Sequence, residues 1–160
     1  MLTALRALRR PGALAFCIAM ALGFTIAGPT SSSYAATCTY TGCSGKDPQS
    51  YGCSSGATTV REMSYLQVHL ELRYSAKCHA SWMRYTKTEI MYNTADNMVF
   101  DRYISAGNVG WVHQYSIYLW TGELSGWSKM IGSDATLRVG VWNSTNSSAV
   151  GGKTASYSAS

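Results

Sequence analysis

The residues of this chain that could do chemistry are few: a set of cysteines, three histidines and a thin scatter of carboxylates. Cys38, Cys43, Cys53 and Cys78 stand apart from Cys17, which lies in an apolar N-terminal run. An even number of cysteines in an exported domain reads as two disulfides, with three connectivities open. Cys38–Cys43 and Cys53–Cys78 are preferred. The first closes a small loop containing Gly42. The second ties the segment ahead of one strand to the end of the next, and chain entropy assigns that closure roughly 3.5 kcal/mol. A zinc site is the rival reading. Zinc knuckles use tighter Cys-x-x-Cys or Cys/His pairs, and export favours oxidation.

His69, His79 and His113 show no metal-ligand spacing, and no cofactor or hydrolase motif surrounds them. His69 and Glu71 share one face of a strand pattern and could form half of an acid–base site. The plainer reading is a solvated strand face. Glu62, Glu71, Glu89, Asp96, Asp101, Glu123 and Asp134 could in principle supply a glycosidase pair, but carboxylate separation decides that chemistry. The Gly45-Lys-Asp-Pro48 segment reads as a disulfide-braced turn, since its spacing lacks the acidic register of a calcium loop. No catalytic, cofactor or metal residue is therefore assigned.

Arg6, Arg9 and Arg10, the apolar run from Leu14 to Ile26 and the small residues after Pro29 form the layout of a secretory signal peptide over 1–35. The apolar run is too short to span about 30 Å of hydrocarbon comfortably. Ser33 and Ala35 place the cut after Ala35. No membrane anchor is expected after cleavage. Removing the leader leaves 10 Lys and Arg against 8 Asp and Glu, a net charge of +2 instead of +5. The remaining basic residues are scattered, which argues against a nucleic-acid partner.

The elements that must position these residues are strands. Strict alternation runs over Leu66, Val68, Leu70, Leu72 and Tyr74 against Gln67, His69, Glu71 and Arg73. A short strand at 58–60 precedes it, with a turn at 62–64. Residues 82–92 read as one long strand or a strand plus a turn, and 98–104 as a short apolar strand. Trp111 to Trp120 is aromatic on both faces, which suggests burial between layers. Leu137, Val139 and Val141 alternate with Arg138, Gly140 and Trp142. The composition is rich in Ser, Thr, Gly, Tyr and Trp. The predicted class is all-β: a small antiparallel β-sandwich or partly closed β-barrel, braced by disulfides. One β domain is expected over 36–142. The Ser/Thr/Gly-rich tail over 143–160 is either a weak edge strand or disordered.

The five tryptophans all follow the leader, and Trp111, Trp120, Trp127 and Trp142 are the candidate ligand-contact aromatics. Gly45-Lys-Asp-Pro48, Gly52-Cys53, Thr58-Thr-Val60, Leu70-Glu-Leu-Arg-Tyr-Ser75, Lys77-Cys78 and Trp82 carry a resemblance. Over about residues 38–86 the chain resembles the YjfA-like secreted bacterial family, domain of unknown function 2690. The resemblance implies an exported protein of Gram-positive, actinobacterial type, supports pairing Cys53 with Cys78, and supplies no catalytic residues. The expected function is a secreted, non-catalytic domain that binds a cell-envelope polysaccharide or a protein. The alternatives are a protease or toxin-type inhibitor presenting the Cys38–Cys53 loop, and a small extracellular hydrolase using His69 and Glu71.

Overall fold

The computed structural model describes residues 36–90, 96–132 and 135–158. The predicted leader and its cut, and Asp134, lie outside these residues. Ten strands and two short 3₁₀ turns make up the described chain, and they form two antiparallel five-stranded sheets. The first contains β1 (Thr58–Tyr65), β2 (Val68–Ser75) and β3 (Ala80–Lys87), with β6 (Ser125–Trp127) and β7 (Ile131–Gly132) both on the free edge of β3. The second runs β5 (Gly110–Tyr118), β4 (Asp96–Ile104), β8 (Thr136–Asn143), with β9 (Ser148–Lys153) and β10 (Tyr157–Ser158) both on the free edge of β8. The architecture is a sandwich and not a closed barrel.

Period-2 alternation explains the core. Val68, Leu70 and Leu72 of β2 and Met83 and Tyr85 of β3 face Met98 and Phe100 of β4 and Leu137, Val139 and Val141 of β8. All ten are buried. A smaller cluster sits at one end of the first sheet. Cys43, Cys53, Cys78, Ala80, Trp82 and Met130 close it. The disulfides are Cys38–Cys43 and Cys53–Cys78, and they lie side by side with all four sulfurs within 4.8 Å of one another. Joined in this way, the sulfurs offer no thiolate to a metal.

Three sequence expectations need correction. Leu66 is not an inward strand residue. It begins a two-residue hairpin loop between Tyr65 and Val68, with φ of 50°, and is 64% exposed. Two-residue hairpin loops require positive φ there, and alternation alone cannot mark where a chain reverses. The turn therefore falls at 66–67 instead of 62–64, and β1 is eight residues long. The segment over 111–120 is not sandwiched between layers either. β5 is an edge strand whose Tyr115 and Ile117 pack inward, while Tyr118 and Trp120 are exposed. Of the two readings of 82–92, the strand is β3, which ends at Lys87 and is followed by bends at Thr88 and Glu89, and 91–92 lie outside the described residues. The C-terminal tail supplies β9 and β10, each paired with β8.

The turn Tyr40–Cys43 packs so tightly on β7 that a Cβ on Gly132 would lie 1.6 Å from the Tyr40 carbonyl oxygen. Backbone cannot yield as a side-chain tip can. Gly132→Ala is expected to lower stability by about 2–3 kcal/mol, whereas Gly42→Ala, with nothing within 4 Å, stays near wild type. Thermal melts of the two variants check this.

Candidate functional site

The outer face of the first sheet carries a patterned set of charges and indoles. On β2, Glu71 and Arg73 point away from the core because Leu70 and Leu72 point into it. Across the ladder, Arg84 lies opposite Glu71 and Trp82 opposite Arg73. β6 then sets Trp127 directly opposite Arg84. Gly126 makes this possible, since a Cβ there would lie 2.7 Å from the Tyr85 ring.

Glu71 organises the set. Its buried carboxylate accepts from Arg84 Nε and, at 2.7 Å, from Arg84 Nη2, a two-pronged grip. It also accepts from the Thr59 hydroxyl at 2.5 Å. Arg73 spends its donors on Thr59 Oγ1 at 2.6 Å and the Ala57 carbonyl at 2.5 Å. Burial alone would raise the Glu71 pKa, but the Arg84 and Thr59 hydrogen bonds outweigh it and hold the carboxyl below its usual value. Arg84 keeps an exposed side chain, and no acceptor among the described residues meets its Nη1.

Trp127 is 41% exposed yet tethered. Its Nε1–H donates to Asp47 Oδ2 at 2.9 Å, and Asp47 Oδ1 accepts from the backbone N–H groups of Gln49 and Ser50 at 3.0 Å each. The Gly45-Lys-Asp-Pro48 turn thus has a second task, which is to orient an indole 80 residues away. Burial would raise the Asp47 pKa, and hydrogen bonds from Ser50, Trp127 and Gln49 bring it below the ordinary aspartate value. Two shallow depressions, of about 230 and 340 Å³, share Gln49, Arg84 and Trp127 and so form one open groove. Ser54, Arg73 and Trp82 line one end, Thr86 and Ser125 the other.

The other candidate tryptophans divide. Trp111 and Trp142 lie on the outer face of the second sheet, where internal cations already cover them. The Arg138 guanidinium sits 3.9 Å from the Trp111 ring centre, and Lys153 Nζ 5.1 Å from that of Trp142. Trp120 is half exposed and pairs with Tyr118. His69 and Glu71 are not brought together. His69 faces Ser64 at 3.2 Å and Glu62 at 3.4 Å, while Glu71 is committed to arginine. His79 stacks on Tyr40 with ring centres 4.1 Å apart.

A second cluster escaped sequence reasoning. Asp101 is fully buried and accepts from His113 Nδ1 at 2.5 Å, Arg138 Nε at 3.0 Å and Lys153 Nζ at 2.5 Å. A bulge between Phe100 and Asp101 sets Asp101 opposite His113. A carboxylate holding Nδ1 orients an imidazole as acid–base sites do. Among the described residues, however, no hydroxyl, thiol or amine hydrogen-bonds to the ring, and the cluster reads as a packed charge network. Arg73 and Arg84 were also missed. Their signal was modest: each follows an outward residue by two positions on a strand, Glu71 and Trp82 respectively.

Residues 41–114 match the family described as protein of unknown function (DUF2690). The matched segment extends past Thr86 into β5 and contains Asp47, Gln49, Glu71, Arg73, Trp82 and Arg84. Trp127 lies outside it, so the groove joins residues of the matched segment to Ser125 and Trp127 of β6. No curated protein and no solved structure matches the chain.

Proposed function

We propose that the protein is exported and acts outside the cell as a non-catalytic module that binds a cell-envelope polysaccharide through the groove over Arg84 and Trp127. The observation that carries this reading is an exposed indole, locked by Asp47, directly across the ladder from a guanidinium locked by Glu71. Sugar rings offer C–H faces for an indole and hydroxyls for fixed donors. Holding both groups rigid before binding spares the entropy of ordering them. The groove is open and shallow, which suits a polymer lying across a surface better than a small molecule enclosed in a pocket. Two disulfides fit an oxidising compartment, and among the described residues no helix is long and apolar enough to cross a membrane.

The same geometry argues against hydrolysis in the groove. A glycosidase acid needs a raised pKa, whereas Glu71 and Asp47 are both held low by donors. Trp127→Ala is expected to weaken retention on isolated cell walls about thirtyfold, while Trp120→Ala leaves it unchanged. Sedimentation of the protein with insoluble walls measures both. If the wild-type protein stays in the supernatant with walls and with purified polysaccharides alike, the reading fails.

A further inference from the structure

We infer that the groove selects an acidic polysaccharide, one whose repeat carries a carboxylate or phosphate, and that Arg84 is the residue that grips the acid. The inference rests on the polysaccharide reading above and deepens it. Two guanidiniums, Arg73 and Arg84, contact one carboxylate, Glu71, while Glu62, opposite Glu71 on the same face, contacts His69 at 3.4 Å. Asp47 is committed to other partners. That carboxylate already holds the Trp127 N–H and two backbone N–H groups, and Lys129 stands 3.9 Å away.

The two arginines are not equivalent. Arg73 is largely covered and gives its Nη1 and Nη2 to Thr59 and Ala57. Arg84 gives Nε and one Nη2 hydrogen to Glu71, and on its exposed side chain Nη1 meets no acceptor among the described residues. The Nη1–Nη2 edge of a guanidinium presents two parallel N–H groups, the spacing that carboxylate and phosphate oxygens accept. Glu71 fixes the plane of that fork, so the free edge is aimed before any ligand arrives. Trp127 is the direct cross-strand neighbour of Arg84, which puts their Cβ atoms about 5 Å apart. One sugar ring on the indole would therefore bring its own acidic substituent to the fork.

The test uses the full chain with its disulfides formed and three immobilised polymers: a polyuronate, the same polyuronate with its carboxyls reduced to alcohols, and poly(glycerol phosphate). At least one acidic polymer is expected to bind about tenfold or more tighter than the reduced polymer, with a preference that weakens as salt rises. The stronger acidic arm tells a uronate from a phosphate. Arg84→Lys keeps the charge and removes the fork, so it is expected to cut acidic binding about tenfold and to weaken neutral binding by a clearly smaller factor. Trp127→Ala should weaken both. Equal binding to the reduced and acidic polymers overturns the acidic assignment and leaves the polysaccharide reading standing. No binding to any of the three polymers overturns the acidic assignment, and if isolated walls also fail to retain the protein it overturns both. Because the salt and polymer arms use the wild-type protein, the result does not depend on how well a variant folds.

Discussion

Asp101→Asn is expected to lower stability by about 3–5 kcal/mol, because removing one partner strands the others. Arg138 and Lys153 are largely covered and converge on this one fully buried carboxylate. Asparagine keeps the shape and one acceptor but leaves two cations without a counter-charge. Melting should fall by roughly 10–20 °C. The energies should also be non-additive: in a Lys153→Met background, Asp101→Asn costs less than it does alone. The pH dependence follows from the same contacts. Burial would raise the Asp101 pKa, but the hydrogen bonds from Lys153, His113 and Arg138 together hold it below the ordinary aspartate value. A depressed folded-state pKa means this contribution is complete above the unfolded value, about pH 4, and is lost as pH falls below it. The gap between wild type and variant should therefore narrow below about pH 4. Denaturant melts at pH 7 and pH 3 measure both effects. A variant within 1 kcal/mol of wild type at pH 7 would overturn the account.

Loss of the Cys53–Cys78 disulfide is the second large effect. The double replacement Cys53→Ala/Cys78→Ala is expected to cost about 3–5 kcal/mol. Its 25-residue separation gives the unfolded chain a substantial loop to lose. Both cysteines also belong to the small core with Trp82 and Met130, so truncation removes packing as well. The matched replacement of Cys38 and Cys43, separated by five residues, should cost only about 2 kcal/mol by the same entropy relation. The binding consequences should differ in kind. The longer bridge anchors the segment carrying Ser54 at the Arg73–Trp82 end of the groove. Its loss is expected to weaken ligand retention along with stability. Thermal melts of the two double variants rank the bridges, and a larger loss from the shorter one would contradict this reading.

Much of the fold was legible because its signals are local. The alternation of Leu70 and Leu72 with Glu71, and of Val139 and Val141 with Arg138, names the inner faces without knowledge of the partners. The cysteine spacings favoured the pairing found. Errors arose where local signals are silent. Nothing in the apolar alternation through Leu66 shows the reversal at that residue, because a hairpin loop needs only two residues of suitable φ. Aromatics on both faces of β5 look buried until an edge position and a covering Arg138 are known. The groove was partly visible: Trp127 was one of four candidate ligand-contact aromatics, but its partner Arg84 looked like one scattered cation among ten.

That division has a physical basis. Side-chain period, turn chemistry and loop closure act over a few residues to a few tens, so the linear chain specifies a disulfide-braced all-β domain, sandwich or partly closed barrel, and the inner face of its clearest strands. The groove and the Asp101 network join residues far apart in sequence. Trp127 meets Asp47 across 80 residues, and Lys153 meets Asp101 across 52. Those meetings depend on strand register, where a slip of one residue turns a side chain to the opposite face. Only the folded sheets, with β6 laid beside β3 and a bulge in β4, decide that Trp127 faces Arg84 and that Asp101 is enclosed by His113, Arg138 and Lys153.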